Sequence, residues 1–339
     1  MSRSPWFRPL LGSALALALL APFLPASATD GAPAVADAAA LQRVVDAYAA
    51  RARPGTLGVA VLDLKTGATA GVNADKPFPM MSVFKAPVAA AVLSRVDAGT
   101  LSLDQRVTIH RSDVLSGSAV PSIGARFRGE QMSFTVEQLL KAAVSESDNT
   151  AVDALLKVVR PDEVTAFLHA HGIDGLRVDQ DEAGVAQVMR GLGQGGSAPA
   201  HESEQAQDQR FARGYQAFLD DPRNRSTPDA AVMFLRKLGG GELLSPASTQ
   251  HLLGLMAAQT IPNRLRAGLP QGVRFADKTG TSGAFNGRTA AYNDIGIATW
   301  PDGRVLIVAA FLLDSPATPQ ARDALFATFA RDLAAAAHP

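Results

Sequence analysis

Ser82 and Lys85, in the run Ser82-Val83-Phe84-Lys85, are the residues of this sequence best placed to make a nucleophile. Residues three apart on a helix share a face one turn apart, so the Lys85 ammonium can sit against the Ser82 hydroxyl. A serine attacks poorly at neutral pH unless a base takes its proton and a positive field steadies the oxyanion that forms. Residues 77–81 read as an irregular lead-in and 86–97 as an apolar helix, which puts Ser82 at a helix N-terminus. Free N–H groups and the positive end of the dipole favour negative charge there. Pro87 falls early enough to remove few helical bonds. Alone, such a pair is most often an exposed serine and a solvated lysine, so other segments must complete a site.

Those segments can be read from hydrophobic period and caps. Residues 36–53 carry Leu41, Val44, Val45 and Tyr48 at helical spacing and stop at Pro54-Gly55. Residues 57–64 and 68–72 read as two strands about a turn. After the Ser82 helix come a short extended stretch within 101–109, a polar stretch over 116–129, and a helix over 135–144. That helix is capped by Ser133 or Thr135, with Glu137 and Gln138 following, and it delivers the chain to Ser145-Glu146-Ser147-Asp148-Asn149. Residues 149–159 and 162–171 form a helical pair broken at Pro161. Residues 172–221 change character: 191–197 are flexible by composition, 201–210 are strongly polar, and Phe211, Tyr215, Phe218 and Leu219 make the stripe of a docked helix. This reads as a long surface insertion over 183–220. Helices over 227–238 and 245–258 follow, then strands over 273–279, 289–299 and 304–313 and a closing helix over 318–337. The expected fold is α+β: an antiparallel sheet built from both chain ends (36–80 and 261–339) with flanking helices, and an all-helical lobe (81–260) inserted between.

Composition narrows the function. Arg3 and Arg8, the apolar run 10–24 and Ala26-Ser27-Ala28 have the layout of a secretory leader over 1–28, cleaved after Ala28 to leave one catalytic domain over 29–339. The protein is therefore expected to be periplasmic or secreted, and with no cysteine its core must be stable without disulfides. Removing Arg3 and Arg8 changes 32 basic and 32 acidic residues to 30 against 32. That balance offers no pull toward nucleic acid or an anionic membrane and suits a small ligand. His110, His169, His171, His201, His251 and His338 show no metal-ligand spacing, so neither metal nor cofactor is expected. Nothing demands more than a monomer.

Three short motifs occur in order: Ser82-Val83-Phe84-Lys85, Ser147-Asp148-Asn149 and Lys278-Thr279-Gly280. Together they resemble the signature of the penicillin-recognising serine enzymes, and of the class A β-lactamases among them. The resemblance covers nearly the whole mature chain. It implies that Ser82 attacks a lactam carbonyl while the backbone N–H groups of Ser82 and Thr281 hold the oxyanion, one such donor typically contributing ~2.7–4 kcal/mol. It also implies that Ser147 relays a proton to the departing nitrogen, with Lys85 and Lys278 biasing the network positively. Asn149 would bind the side-chain amide of the ligand and orient Lys85. Thr279, Gly280, Thr281 and Ser282 would line the substrate edge, and Arg264 matches a carboxylate-binding arginine of many relatives. Glu182, 35 residues after Ser147, matches the glutamate that activates the hydrolytic water. Glu202 and Glu204 are minor candidates for that base.

The departures lie in the same loop. Val185-Ala186 stands where relatives carry a leucine-asparagine pair whose amide helps hold the water. Gln180 and Asn224 match the two ends of an arginine-aspartate ion pair, and an amide pair can replace it without leaving a buried charge unpaired. The stretch from Glu182 to Asp221 is also longer than usual. Two rival functions remain open at this stage: a D-alanyl-D-alanine peptidase of the same superfamily, and a protein that captures lactams or peptidoglycan stems without hydrolysing them. Many turnovers of a chromogenic lactam, a single burst, or none would separate the three.

Overall fold

The computed structural model describes residues 37–193 and 196–337; the expected leader and its cleavage site lie outside them. Helix α1 (Ala38–Arg51) starts at Asp37, whose carboxylate caps the first turn, and buries Leu41, Val45 and Tyr48. It leads into the hairpin of β1 (Thr56–Asp63) and β2 (Thr69–Val72). Strand β3 (Phe78–Pro79) and a 3-10 turn over Met81–Phe84 precede α2 (Lys85–Asp97), which is buried on every side from Lys85 to Leu93. A helix apolar all round belongs in the middle of a lobe, and α2 takes that place.

Around it run β4 (Arg106–His110), α3 (Ser122–Arg126), β5 (Gln131–Thr135), α4 (Val136–Ser145), α5 (Asn149–Leu156) and α6 (Pro161–Ala170). Next come α7 (Glu182–Met189), α8 (Glu204–Asp220), β6 (Arg225–Ser226), α9 (Pro228–Gly239) and α10 (Pro246–Ala257). The chain returns to the sheet through α11 (Leu265–Gly268), β7 (Arg274–Thr281), β8 (Ala284–Phe285), β9 (Arg288–Thr299), β10 (Val305–Ser315) and α12 (Pro319–Ala337).

Among the described residues the main sheet runs β2-β1-β10-β9-β7, all antiparallel, with β8 on the end of β9. Strand side chains alternate, and here both faces are covered. Val59, Val61 and Val308 pack with Leu41, Phe326 and Leu333 of the two terminal helices. Ala60, Ala309 and Phe311 pack against Phe234 and Leu235 of α9, within the core that also surrounds α2. Strand β7 ends the order, and its free edge lies against the turn that carries Ser82.

The expected α+β architecture is the observed one, with three corrections. The inserted lobe is not all helical: β4 pairs with β5, so the stretch after Gly129 is a strand before Thr135 caps α4. The exposed-buried alternation of Arg106–His110 is the period that calls for such a partner. Phe78–Pro79 is not irregular, because it pairs with Arg225–Ser226. The stretch 183–220 holds two helices rather than one, since α7 begins at Glu182 itself.

Candidate active site

Ser82 lies on the 3-10 turn and Lys85 opens α2. The turn is held from outside: Met80 N donates to Asn224 O (3.0 Å), and Asn293 Nδ2 donates to Pro79 O (2.8 Å) and Met80 O (3.0 Å). Met81 has φ +47° and Ser147 φ +57°. A non-glycine residue in that region costs ~1–3 kcal/mol, so strain is stored in the two turns that present serines to the site.

Lys85 is fully buried. Its Nζ donates to Ser147 O (2.8 Å) and Asn149 Oδ1 (2.6 Å) and lies 3.1 Å from Glu182 Oε1. An ammonium has three protons, and these acceptors use them. The expected direct pairing of Lys85 with the Ser82 hydroxyl is therefore replaced: Ser82 Oγ donates to the same Glu182 Oε1 at 3.3 Å. Serine and lysine meet through the glutamate.

The Ser147-Asp148-Asn149 turn sends its three side chains to three places. Ser147 Oγ accepts from Lys278 Nζ at 2.9 Å, reaching across from β7. Asp148 is structural: its carboxylate caps Ala151 N and accepts from Ile123 N. Asn149 holds Lys85, and its Nδ2 is 3.5 Å from Ser116 O. Complete burial, and then the charge of Lys85, hold the Lys278 ammonium well below its ordinary pKa.

On β7, Gly280 is required by its neighbours. A Cβ there would lie 2.4 Å from Met80 O and 3.2 Å from Ser82 N, so only glycine lets the strand close on the Ser82 turn. Ser282 N bonds Ala291 O on β9, so by antiparallel alternation the Thr281 N–H points away from β9 to the free edge. Thr279 is buried between Lys278 and Gly280.

Two residues expected at the substrate, Ser282 and Arg264, have their polar groups engaged within the protein. The Ser282 hydroxyl accepts from Ala291 N (2.8 Å) and donates to Gly283 O (2.7 Å), which uses it inside the sheet. Buried Arg264 donates to Gly280 O (2.9 Å), Asn293 O and Thr281 Oγ1, with its guanidinium 3.8 Å from the Tyr292 ring centroid. Arginine only donates, so Thr281 Oγ1 is the acceptor in that bond and its own proton is left for a ligand. Arg264 thus orients the Thr281 hydroxyl.

Glu182 is the first residue of α7 and is buried. Asp181 caps that helix by accepting from Gly184 N. From α5, Asp153 accepts Glu182 N (2.8 Å) on one oxygen and Ala183 N (3.1 Å) on the other. Burial, with Asp181 and Glu182 nearby, pushes the Asp153 carboxyl up to about 8. The predicted Gln180–Asn224 amide pair is not side chain to side chain. Asn224 Oδ1 accepts from Asp179 N (2.7 Å) and Gln180 N (3.1 Å), while its Nδ2 donates to Gln180 O (2.9 Å). One amide with both donor and acceptor satisfies three backbone groups, which a second side chain could not improve. Glu202 is occupied by Arg210 and Glu204 is exposed, so of the three candidate glutamates Glu182 is the one that reaches Ser82.

Ser82, Asn149, Glu182 and Thr281 open onto a cavity of about 640 Å3. Ala186 and Gln187 line it beside Glu182, and Phe211 and Tyr215 of α8 line its far wall. The sequence reading missed Asp153 and this wall. Asp153 was within reach of it, being four residues after Asn149 and so on the same helical face. The arrangement can activate a hydroxyl, hold an oxyanion between two backbone N–H groups and pass a proton through Ser147.

Residues 38–337 match the family model described as the β-lactamase enzyme family. The extended-spectrum β-lactamase PER-1 of Pseudomonas aeruginosa is 35% identical over 278 residues, covering 81% of this chain and 80% of that protein. β-Lactamase L2 of Stenotrophomonas maltophilia is 34% identical over 306 residues, 89% of this chain and 88% of that one. Among solved structures, a β-lactamase from Chitinophaga pinensis superposes with a TM-score of 0.73 at 33% identity, over 88% of this chain and 99% of its own. The reconstructed class A β-lactamase of the last common ancestor of Gram-negative bacteria gives 0.69 at 37% identity, over 88% and 99%. The motifs, their geometry and these likenesses agree: the chain belongs to the β-lactamase enzyme family, as a class A serine β-lactamase.

Proposed function

We propose that the enzyme opens the lactam amide through an ester on Ser82 and releases it with a water activated by Glu182. The observation that carries this reading is the shared oxygen: Glu182 Oε1 accepts from Ser82 Oγ at 3.3 Å and lies 3.1 Å from Lys85 Nζ. A base must be within hydrogen-bond reach of the proton it takes, directly or through one water. In acylation the Ser82 Oγ–C bond forms, the Ser82 proton passes to the Lys85–Glu182 pair, and the lactam C–N bond breaks. The leaving nitrogen takes a proton from Ser147 Oγ, which Lys278, 2.9 Å away, refills. The proton held by the Lys85–Glu182 pair then replaces the one given up, so that Glu182 is a carboxylate again before deacylation. In deacylation Glu182 takes a proton from water, the new C–O bond forms, and the C–Oγ bond breaks as the proton returns to Ser82. The Ser82 and Thr281 N–H groups would hold the oxyanion in both steps.

Lys85, Lys278 and the Thr281 hydroxyl favour a ligand with a carboxylate, with Thr279 beside them. Asn149 Nδ2 is placed for an amide carbonyl of that ligand. The mature protein would start at Thr29, act as a monomeric single domain in the periplasm or outside the cell, and confer β-lactam resistance there. No helix among the described residues is long and apolar enough to cross a membrane.

Steady-state hydrolysis of a chromogenic cephalosporin by the mature protein, beside Glu182→Gln, tests the mechanism. The wild type should turn over repeatedly. The variant should stall after one equivalent with an adduct on Ser82, deacylation falling ~10²–10⁴-fold. Unchanged turnover without an adduct would dismiss Glu182 as the base.

A further inference from the structure

We infer that helix α8 of the insertion is a positioning element for the glutamate helix, acting through the close backbone contact at Gly214. This rests on Glu182 being the deacylating base. Helix α8 is fastened at two places. Arg210, buried, donates through Nε (3.0 Å) and Nη2 (2.7 Å) to the Glu202 carboxylate and through Nη1 to the carbonyl of Arg190, the C-cap of α7. One turn on, Tyr215 Oη donates to Asp314 Oδ1 at 2.7 Å. Arg288 grips the same carboxylate through Nε and Nη2, each at 2.7 Å. The first fastening holds α7, and the second holds the ends of β9 and β10.

Between them Gly214 lies on the last turn of α7. A Cβ at Gly214 would come 2.4 Å from Gly191 N and 2.5 Å from Met189 O, both backbone atoms that cannot rotate aside. Below this contact Val185 of α7 shares a small core with Tyr215 and Phe218 of α8 and with Ala290 and Ala291 of β9. Helix α7 is only eight residues long, with Glu182 at one end and the α8 contact at the other. A body that short moves as a unit, and Asp153 grips only its first two N–H groups. A displacement at Met189 therefore turns the helix and shifts the Glu182 carboxylate. Lys85, Ser147 and Lys278 are anchored on α2, the α4–α5 turn and β7, and apart from the contact of Lys85 with Glu182 the hydrogen bonds described for them involve no residue of α7 or α8. Acylation shares Glu182 with Lys85, whereas deacylation depends on it as the base for water, so deacylation should feel α8 more strongly than acylation.

Gly214→Ala tests this by adding one methyl at the contact. Gly254→Ala is the control, a helical glycine of α10 with nothing within 4 Å of its would-be Cβ. Single-turnover and steady-state rates with a chromogenic cephalosporin separate the two steps. Since a misplacement near 1 Å can cost about 10²-fold, Gly214→Ala should deacylate at least ~10-fold more slowly, lose clearly less in acylation and accumulate an intact-mass adduct on Ser82. Gly254→Ala should change neither rate. Wild-type deacylation in a folded Gly214→Ala, or equal slowing of both steps, would overturn the inference. If Gly214→Ala does not fold, Glu202→Gln decides: it loosens the Arg210 clasp without adding bulk, and deacylation slowed relative to acylation supports the role while unchanged rates overturn it. With Glu182→Gln in parallel, a stalled Glu182→Gln beside a normal Gly214→Ala sinks the α8 role alone. A Glu182→Gln that turns over normally removes the base, and this inference with it.

Discussion

The residues assigned to forming the acyl-enzyme and those assigned to breaking it rest on different kinds of structure. Lys85 and Lys278 are fully buried, one on a helix enclosed on every side and the other on a strand of the main sheet. Glu182 stands on a short helix, most of whose residues are only half-buried, with its first N–H groups held from α5 and its last turn held by an insertion. Interiors are packed too tightly to give, whereas a helix fastened at its ends can be shifted by a change at either. On the proposed mechanism, the lysines that serve acylation are fixed in the core, and the lifetime of the acyl-enzyme would depend more on the elements that hold Glu182.

The sharpest way to break that comparison is at the core. Lys278→Ala leaves the buried Ser147 hydroxyl without its donor, and acylation measured by stopped flow should fall roughly 10²–10³-fold. A fall as large in deacylation alone would refute the division. Next in size is Asp153→Ala, which strips the Glu182 and Ala183 N–H groups of their acceptor. Each orphaned donor costs ~1–3 kcal/mol, so deacylation should slow about tenfold and acylation by less; partition of a slow substrate, read by mass spectrometry, distinguishes the two.

Asp153 also predicts a pH dependence. Its folded-state pKa, about 8, lies above the ordinary value of 3.8, so between those limits the folded protein holds a proton that the unfolded chain has released. Stability contributed by this group is therefore full at low pH and lost as pH rises toward about 8. Melting temperatures of wild type and Asp153→Asn, whose amide mimics the protonated carboxyl, should lie together at low pH and separate across that window as the wild type falls relative to the variant. Parallel curves would mean that the carboxyl titrates normally. The smallest effect is expected from Ala186→Asn, which adds an amide to the cavity wall beside Glu182. One new hydrogen bond to the water, worth ~0.5–1.5 kcal/mol, should speed deacylation roughly 2–10-fold in pre-steady-state traces. A flat or slower rate would mean that the loop holds its water by other means.

Much of this was legible in the residues, because the signals were local. Period and caps place α1, α2 and the strands β9 and β10 within a few residues, and Thr135 with Gln138 marks the start of α4. The strand β5 and the helix α7 were not legible. The first is five residues long and ends in the cap of the next helix, and the second gains its start from acceptors on Asp181 and on α5.

The sequence by itself determined the chemical inventory: a serine with two lysines, a second serine, an asparagine and a loop glutamate, in an order that few other functions require. It also determined the α+β layout, since strand and helix periods are written in neighbouring residues. Tertiary structure alone decided who meets whom. It placed Glu182 between Ser82 and Lys85, turned Arg264 inward to Thr281, set Asn224 on the backbone of Asp179 and Gln180, and brought α8 against α7. The physical reason is separation along the chain. Groups 16 to 131 residues apart, such as the Arg264 guanidinium with the Gly280 carbonyl and Lys278 with Ser147, find each other only when burial and backbone satisfaction are resolved over the whole fold.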